Sequence, residues 1–92
     1  MKFIINDCFG GFSLSDFAVE ALGLDSPWDQ IERNDPALID LFNRYGSERI
    51  SREYAELCMV EIPDEATDWM IQEYDGCESL IYVLDGKIHH AY

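Results

Sequence analysis

Residues 2–16, KFIINDCFGGFSLSD, decide the fold of this chain. An apolar run is followed by Cys8, by the pair Gly10 and Gly11, and by polar residues of the kind that precede a helix. Apolar residues fall on both faces of the run, which is typical of a strand that is covered on both sides. Glycine permits a positive φ or a close backbone approach. The stretch therefore predicts a first strand, a tight turn and the beginning of a first helix, with the rest of the chain packed around them.

Two helices are predicted after this strand. The first has Ser13 as its expected N-cap and ends at Gly23. The second begins at Asp35 and Pro36, an N-cap followed by a proline in the first helical position, and Gly46 ends it. The segment between the helices contains a Ser-Pro-Trp sequence and predicts a loop.

The second half of the chain predicts three or four strands. They cover residues 57–62, 67–74, 78–84 and 87–92. Segment 78–84 suits either a buried strand or a short helix, and we favour a strand. The Asp-Gly pairs at 75–76 and 85–86 are typical of two-residue hairpin turns.

This order of elements predicts a single domain, residues 1–92, of the α+β class. We expect a small mixed or antiparallel sheet of four or five strands with two helices packed on one face. A chain of 92 residues, 48% of them apolar, is long enough for one hydrophobic core.

Charge is the strongest global signal. The chain has 19 acidic and 6 basic residues, a net charge of −13, and residues 53–85 contain ten acidic residues and no basic one. Such a surface repels nucleic acid and anionic membranes, so we expect neither as a direct partner. It attracts a basic protein surface, including one built to hold nucleic acid. The alternative is that the acidity serves solubility alone.

Acidic residues of the second half are the predicted contacts for a partner's arginines, because carboxylates bind guanidinium groups with two hydrogen bonds. These residues are Asp64, Glu65, Asp68, Glu73, Asp75 and Glu78. Trp28, in the proline-containing loop, is the predicted aromatic contact. For the carboxylates around Asp75 the alternative is a solvated turn.

A zinc site is the most specific chemical site that the sequence suggests. Cys8 ends the predicted first strand, and His89 and His90 lie on the last, so they could meet across a sheet with Cys77 or a carboxylate as a further ligand. Adjacent strand residues point to opposite faces, which counts against both histidines binding one ion. The alternative is that the cysteines are small core residues and the histidines a polar tail.

The sequence lacks the signatures of several common classes of protein. The three cysteines are far apart and form no CxxC pair, which predicts a reducing, cytoplasmic setting without disulfides. No P-loop, GxGxxG, GxSxG or HExxH sequence occurs. We therefore expect no enzymatic activity.

Four short motifs resemble those of a family of small acidic phage and prophage proteins. They are CFGGF followed by LS at residues 8–15, RNDP followed by LI at 33–39, VEIPD at 60–64 and EYDG followed by a glutamate at 73–78. The chain departs from the family in a shorter segment before Arg33 and in its ending, HHAY. Small acidic phage proteins include inhibitors of bacterial defence, among them anti-CRISPR proteins acting on Cas9.

Resemblance and charge together predict a phage-encoded inhibitor acting in the cytoplasm of the bacterial host cell. Its most concrete form is an anti-CRISPR that binds a Cas9-type nuclease through the acidic surface and blocks the loading of target DNA, as a monomer or a dimer. The alternative is an accessory phage protein that binds a metal, zinc above all, or another small ligand.

Overall fold

Five strands and two helices make up the protein, and the computed structural model describes every residue from 1 to 92. The elements are β1 (Lys2–Asn6), α1 (Asp16–Leu22), α2 (Pro36–Ile50), β2 (Leu57–Glu61), β3 (Asp68–Tyr74), β4 (Cys77–Leu84) and β5 (Lys87–His90). This order confirms the predicted α+β class. The segment that suited either a helix or a strand is the strand β4.

The strands form two antiparallel sheets, one of β1 and β2 and one in the order β3-β4-β5. They do not join into one sheet, because the second edge of β1 is already covered. The N–H of Ile4 donates to the carbonyl of Arg33 at 2.8 Å, and the N–H of Asn6 donates to the carboxylate of Glu78 at 2.8 Å. A loop and a side chain thus take the place of a neighbouring strand.

The β1–β2 sheet is the middle of three layers. The helices cover one of its faces, and the core there consists of Ile4, Leu14, Ala18, Leu38, Leu41, Ile50 and Leu57. The three-stranded sheet covers the other face, where the core consists of Phe3, Ile5, Val60, Ile62 and Leu80. Burial of β1 on both faces, which its apolar pattern predicted, follows from this arrangement.

Helix α1 begins two residues later than the sequence predicted. Its N-cap is Ser15, whose Oγ accepts a hydrogen bond from the N–H of Ala18 at 3.2 Å. The predicted cap Ser13 is wrong, because Ser13 is buried and its carbonyl accepts a hydrogen bond from the N–H of Arg52. This hydrogen bond holds the backbone at Ser13 against a residue that is distant in the sequence, so the helix starts only after it. Gly23, with a φ of 69°, ends the helix as predicted.

Helix α2 begins as its sequence predicted. Asp35 is the N-cap, accepting from the N–H of Ala37 at 2.8 Å, and Pro36 is the first helical residue. Gly46 has a φ of 80° and a ψ of 169°, which interrupts the helix. Helical residues resume after it and continue to Ile50, so the helix is kinked at Gly46, where the sequence predicted its end.

Both Asp-Gly pairs form the hairpin turns that the sequence predicted. Asp75 and Gly76 have φ angles of 51° and 87°, and Asp85 and Gly86 have φ angles of 53° and 75°. Two consecutive positive φ angles characterise the type I′ turn, whose twist matches that of the flanking strands. The turns differ in their surroundings, because only the first lies against another part of the chain.

Gly76→Ala should therefore destabilise the fold more than the matched change Gly86→Ala. Both changes place a Cβ at a positive φ, which costs about 1–2 kcal/mol. At Gly76 the Cβ would also lie 2.5 Å from the N of Gly11 and 2.7 Å from the O of Phe9, whereas at Gly86 nothing lies within 4 Å. We expect Gly76→Ala to exceed Gly86→Ala by at least about 1 kcal/mol in urea denaturation, because backbone must move. Equal losses would contradict this contact.

Candidate functional site

Glu78 is a charged residue that lies in the interior. Its side chain is only 6% exposed. Oε1 accepts from Nη1 of Arg33 at 2.5 Å and Oε2 from Nη2 at 2.8 Å, and the N–H of Asn6 also donates to Oε1 at 2.8 Å. This is a two-pronged carboxylate–guanidinium pair with an added backbone donor. The prediction that Glu78 contacts a partner is corrected here, because both of its oxygens are engaged inside the protein.

Asn6 completes the same network from the other side. Its side chain is fully buried, and Nδ2 donates to the carbonyls of Cys8 at 2.7 Å and Gly76 at 2.8 Å. Its Oδ1 accepts from the N–H of Glu56 at 2.8 Å. One amide thereby joins β1, the β3–β4 turn and the segment before β2. No buried side-chain nitrogen or oxygen in the protein lacks a hydrogen-bond partner.

Three of the four motifs behind the family resemblance meet at this network. The CFGGF segment contributes the Cys8 carbonyl and Phe12, whose ring lies 3.6 Å from the Arg33 guanidinium. The EYDG segment contributes Gly76, and the following glutamate is Glu78. These contacts give the motif residues a structural role, since they hold segments that are distant in the sequence against one another.

The two histidines of the predicted zinc site lie on different faces of their sheet. His89 is opposite Tyr82 and His90 is opposite Ile81 in the β4–β5 register, and side chains of adjacent strand residues alternate. The His89 ring is stacked on the Tyr82 ring with centroids 5.2 Å apart. The two imidazoles are therefore not positioned to bind one ion.

The cysteines are also engaged separately. The Cys8 thiol donates to the carbonyl of Tyr54 at 2.9 Å, and Cys77 begins β4 opposite Tyr74. Burial raises the pKa of the third thiol, Cys58, to about 11, so it stays protonated at neutral pH. No three His, Cys, Asp or Glu side chains are arranged to hold a metal ion. The structure does not bring the predicted ligands Cys8, Cys77, His89 and His90 together, and zinc binding stays a prediction.

The other predicted partner contacts are exposed. They form what we call the acidic strip, which runs from the β2–β3 loop along β3 to its turn and consists of Asp64, Glu65, Asp68, Glu73 and Asp75. Only Asp64 among them has an ion-pair partner, the Met1 ammonium at 2.6 Å, whose hydrogen bond lowers the Asp64 pKa. Across the whole protein, four of the 19 carboxylate side chains lie in an ion pair, so the negative charge is largely uncompensated.

A groove of about 700 Å³ lies beside the acidic strip, between β3 and residues 28–34. We call it the β3 groove. Trp69, Met70 and Ile71 line it on the strand side, and Trp28, 65% exposed, lines it on the loop side. The sequence predicted Trp28 as an interface residue. Trp69 contacts both the interior and the groove, since its ring lies 5.6 Å from that of Phe3 while 39% of the residue is exposed.

The side chains that line the β3 groove carry a net negative charge, and the Arg52 guanidinium lies 5.0 Å from the centre of the Trp28 ring. Asp29 and Glu32 belong to its lining, and the single cation in the lining, Arg33, is paired with Glu78. The hydrogen bond from the N–H of Asp25 lowers the pKa of Asp29, which is therefore ionised at neutral pH. The groove combines exposed aromatic surface with uncompensated carboxylates, which suits a ligand that carries apolar and cationic groups.

Glu78→Gln should destabilise the protein strongly, because the change leaves the guanidinium of Arg33 without its counter-ion. Removing one partner of a buried ion pair costs about 3–5 kcal/mol, and we expect the lower end because the Arg33 side chain is 22% exposed. The matched control is Glu20→Gln, which alters an exposed carboxylate of α1 and should change stability by less than about 0.5 kcal/mol. Urea denaturation measures both, and losses of equal size would refute the structural role of Glu78.

Comparison of the chain with protein-family models, with curated proteins and with solved structures found no match. Neither helix has the length and apolar composition that crossing a membrane requires. The candidate site therefore rests on its own residues: a buried network of Asn6, Arg33 and Glu78, with the acidic strip and the β3 groove beside it.

Proposed function

We propose that the protein is a non-catalytic inhibitor that binds a cationic surface of another protein through its acidic strip. The observation that carries this proposal is the exposure of five carboxylates between residues 64 and 75, within a segment that has no basic residue from 53 to 85. Complementary charge accelerates encounter and excludes partners of the wrong sign.

The hydrogen bonding of the polar side chains supports a binding role without catalysis. The most tightly grouped ones, in Asn6, Arg33 and Glu78, bond to one another and to backbone. Along β3, the groups exposed to solvent include carboxylates and aromatic rings. Such side chains serve contact with a partner, where arginines and aromatic residues supply much of the binding energy.

The partner to test first is a Cas9-type nuclease. The resemblance to phage proteins that inhibit bacterial defence supports this choice, and so does the positively charged channel in which such nucleases hold nucleic acid. The acidic strip would occupy part of that channel and block the loading of target DNA. In this form the protein acts as an anti-CRISPR.

Reversing three charges of the acidic strip should abolish inhibition. The triple variant Glu65→Lys, Asp68→Lys and Glu73→Lys is expected to lose at least about 100-fold in affinity for the guide-loaded nuclease, a coupling of roughly 1 kcal/mol for each contact. The measurement is DNA cleavage with the protein added before or after the target DNA. The unchanged protein should inhibit only when it is added first.

A matched control separates position from net charge. The variant Glu20→Lys, Glu48→Lys and Glu53→Lys changes three exposed carboxylates outside the acidic strip and gives the same net charge. It should retain inhibition, provided that both variants keep the melting temperature of the parent. Equal inhibition by the two variants, or none by the parent at large excess over several nucleases, would reject the proposal.

Salt provides an independent prediction. The screening length falls from about 8 Å at 0.15 M to about 3 Å at 1 M salt, so contacts between exposed charges weaken. The dissociation constant of the complex should rise steadily over this range when it is measured by fluorescence anisotropy. An affinity that is independent of salt would show that the acidic strip is not the binding surface.

A further inference from the structure

Strand β3 has one free edge. In the three-stranded sheet only β4 pairs with it, and no strand lies on its other side. Edge strands expose backbone N–H and C=O groups that are able to pair with another chain, and proteins block this with proline, lysine or a covering loop. The sequence of β3, DWMIQEY, contains neither proline nor lysine. The strand itself therefore carries neither of these two blocks to pairing.

The β3 groove provides room along that edge. Three consecutive strand residues, Trp69, Met70 and Ile71, line it, although neighbouring side chains of a strand point to opposite faces. The groove therefore runs along the edge of β3 and not over a face of the sheet. A segment paired with β3 would lie about 4.8 Å away, with alternate side chains directed toward Trp28 and Trp69.

The negative charge of the β3 groove indicates which kind of ligand it binds. Asp29 and Glu32 line the groove, and Asp68 and Glu73 lie toward the two ends of β3. A second copy of the chain would bring the same carboxylates, and a net charge of −13, against them. Like charges that face one another across paired strands are destabilising, whereas cationic side chains would be attracted.

We infer that the β3 groove binds an extended segment of a partner protein that alternates apolar and cationic residues and adds to β3 as a fourth strand. Backbone hydrogen bonds supply affinity in this mode, and the alternate side chains supply specificity. The apolar side chains would contact Trp28 and Trp69, and the cationic ones the surrounding carboxylates. The inference rests on the proposed function for the positive charge of the partner and adds how that partner is held.

A synthetic peptide tests this mode without any assumed partner. The probe is a fluorescein-labelled peptide of sequence KVKVKVK, and its control carries a methyl group on every internal amide nitrogen. Both have the same charge, but the control cannot donate backbone hydrogen bonds. We expect fluorescence anisotropy at low salt to show at least tenfold weaker binding of the control. NMR shift changes should concentrate at residues 28–34 and 69–71. Equal affinities would overturn the inference.

Two variants of the protein locate the binding. Trp28→Ala removes an exposed ring from the wall of the groove and should weaken binding of the unmethylated peptide at least fivefold. Tyr54→Ala removes a ring that is 77% exposed outside the groove and should leave binding unchanged. Equal effects of the two changes would overturn the inference, and so would a dimer in sedimentation equilibrium that Trp28→Ala dissociates, because a second copy would then fill the groove.

A failure of this inference can be distinguished from a failure of the proposed function. Peptide binding that depends on Trp28, together with no effect on any Cas9-type nuclease, supports the groove and rejects that partner. Inhibition of the nuclease that depends on the acidic strip but not on Trp28 or on peptide N–H groups supports the proposed function and overturns the inference.

Discussion

The buried carboxylate of Glu78 is the constraint on which the rest of the structure depends. A carboxylate inside a protein costs several kcal/mol unless charge and hydrogen bonds compensate it, and Arg33 and the Asn6 N–H supply both. The pair fixes the loop that contains Arg33 between β1 and β4. Because that same loop forms one wall of the β3 groove, the interaction that closes the core also positions one side of the surface where we propose binding.

Features determined by neighbouring residues were predictable from the sequence. The two Asp-Gly turns, the start of α2 at Asp35 and Pro36, and the end of α1 at Gly23 depend on local backbone preferences, and the structure confirms each of them. The apolar patterns also predicted four or five strands and the burial of β1 on both faces. These preferences act over a few residues, so they can be read without knowledge of the fold.

Features determined by distant residues were not predictable. Ser13 has the sequence context of a cap but is held by a hydrogen bond from Arg52, 39 positions away in the chain. Glu78 has the context of an acidic surface turn but meets an arginine 45 residues earlier. The β3 groove is likewise assembled from Trp28 and Trp69, which no spacing rule connects. In each case the partner is set by the packing of the layers, which single-sequence patterns do not specify.

The network around Glu78 positions a groove that is both acidic and aromatic along a free strand edge. Amide hydrogen exchange of Asn6 tests the central claim most directly, because its N–H bonds to a side chain and not to a strand. If the Glu78 carboxylate holds β1 in place, the Asn6 amide should exchange as slowly as the slowest amides of β4, only through global unfolding. Exchange as fast as that of exposed amides on the free edge of β3 would contradict the account.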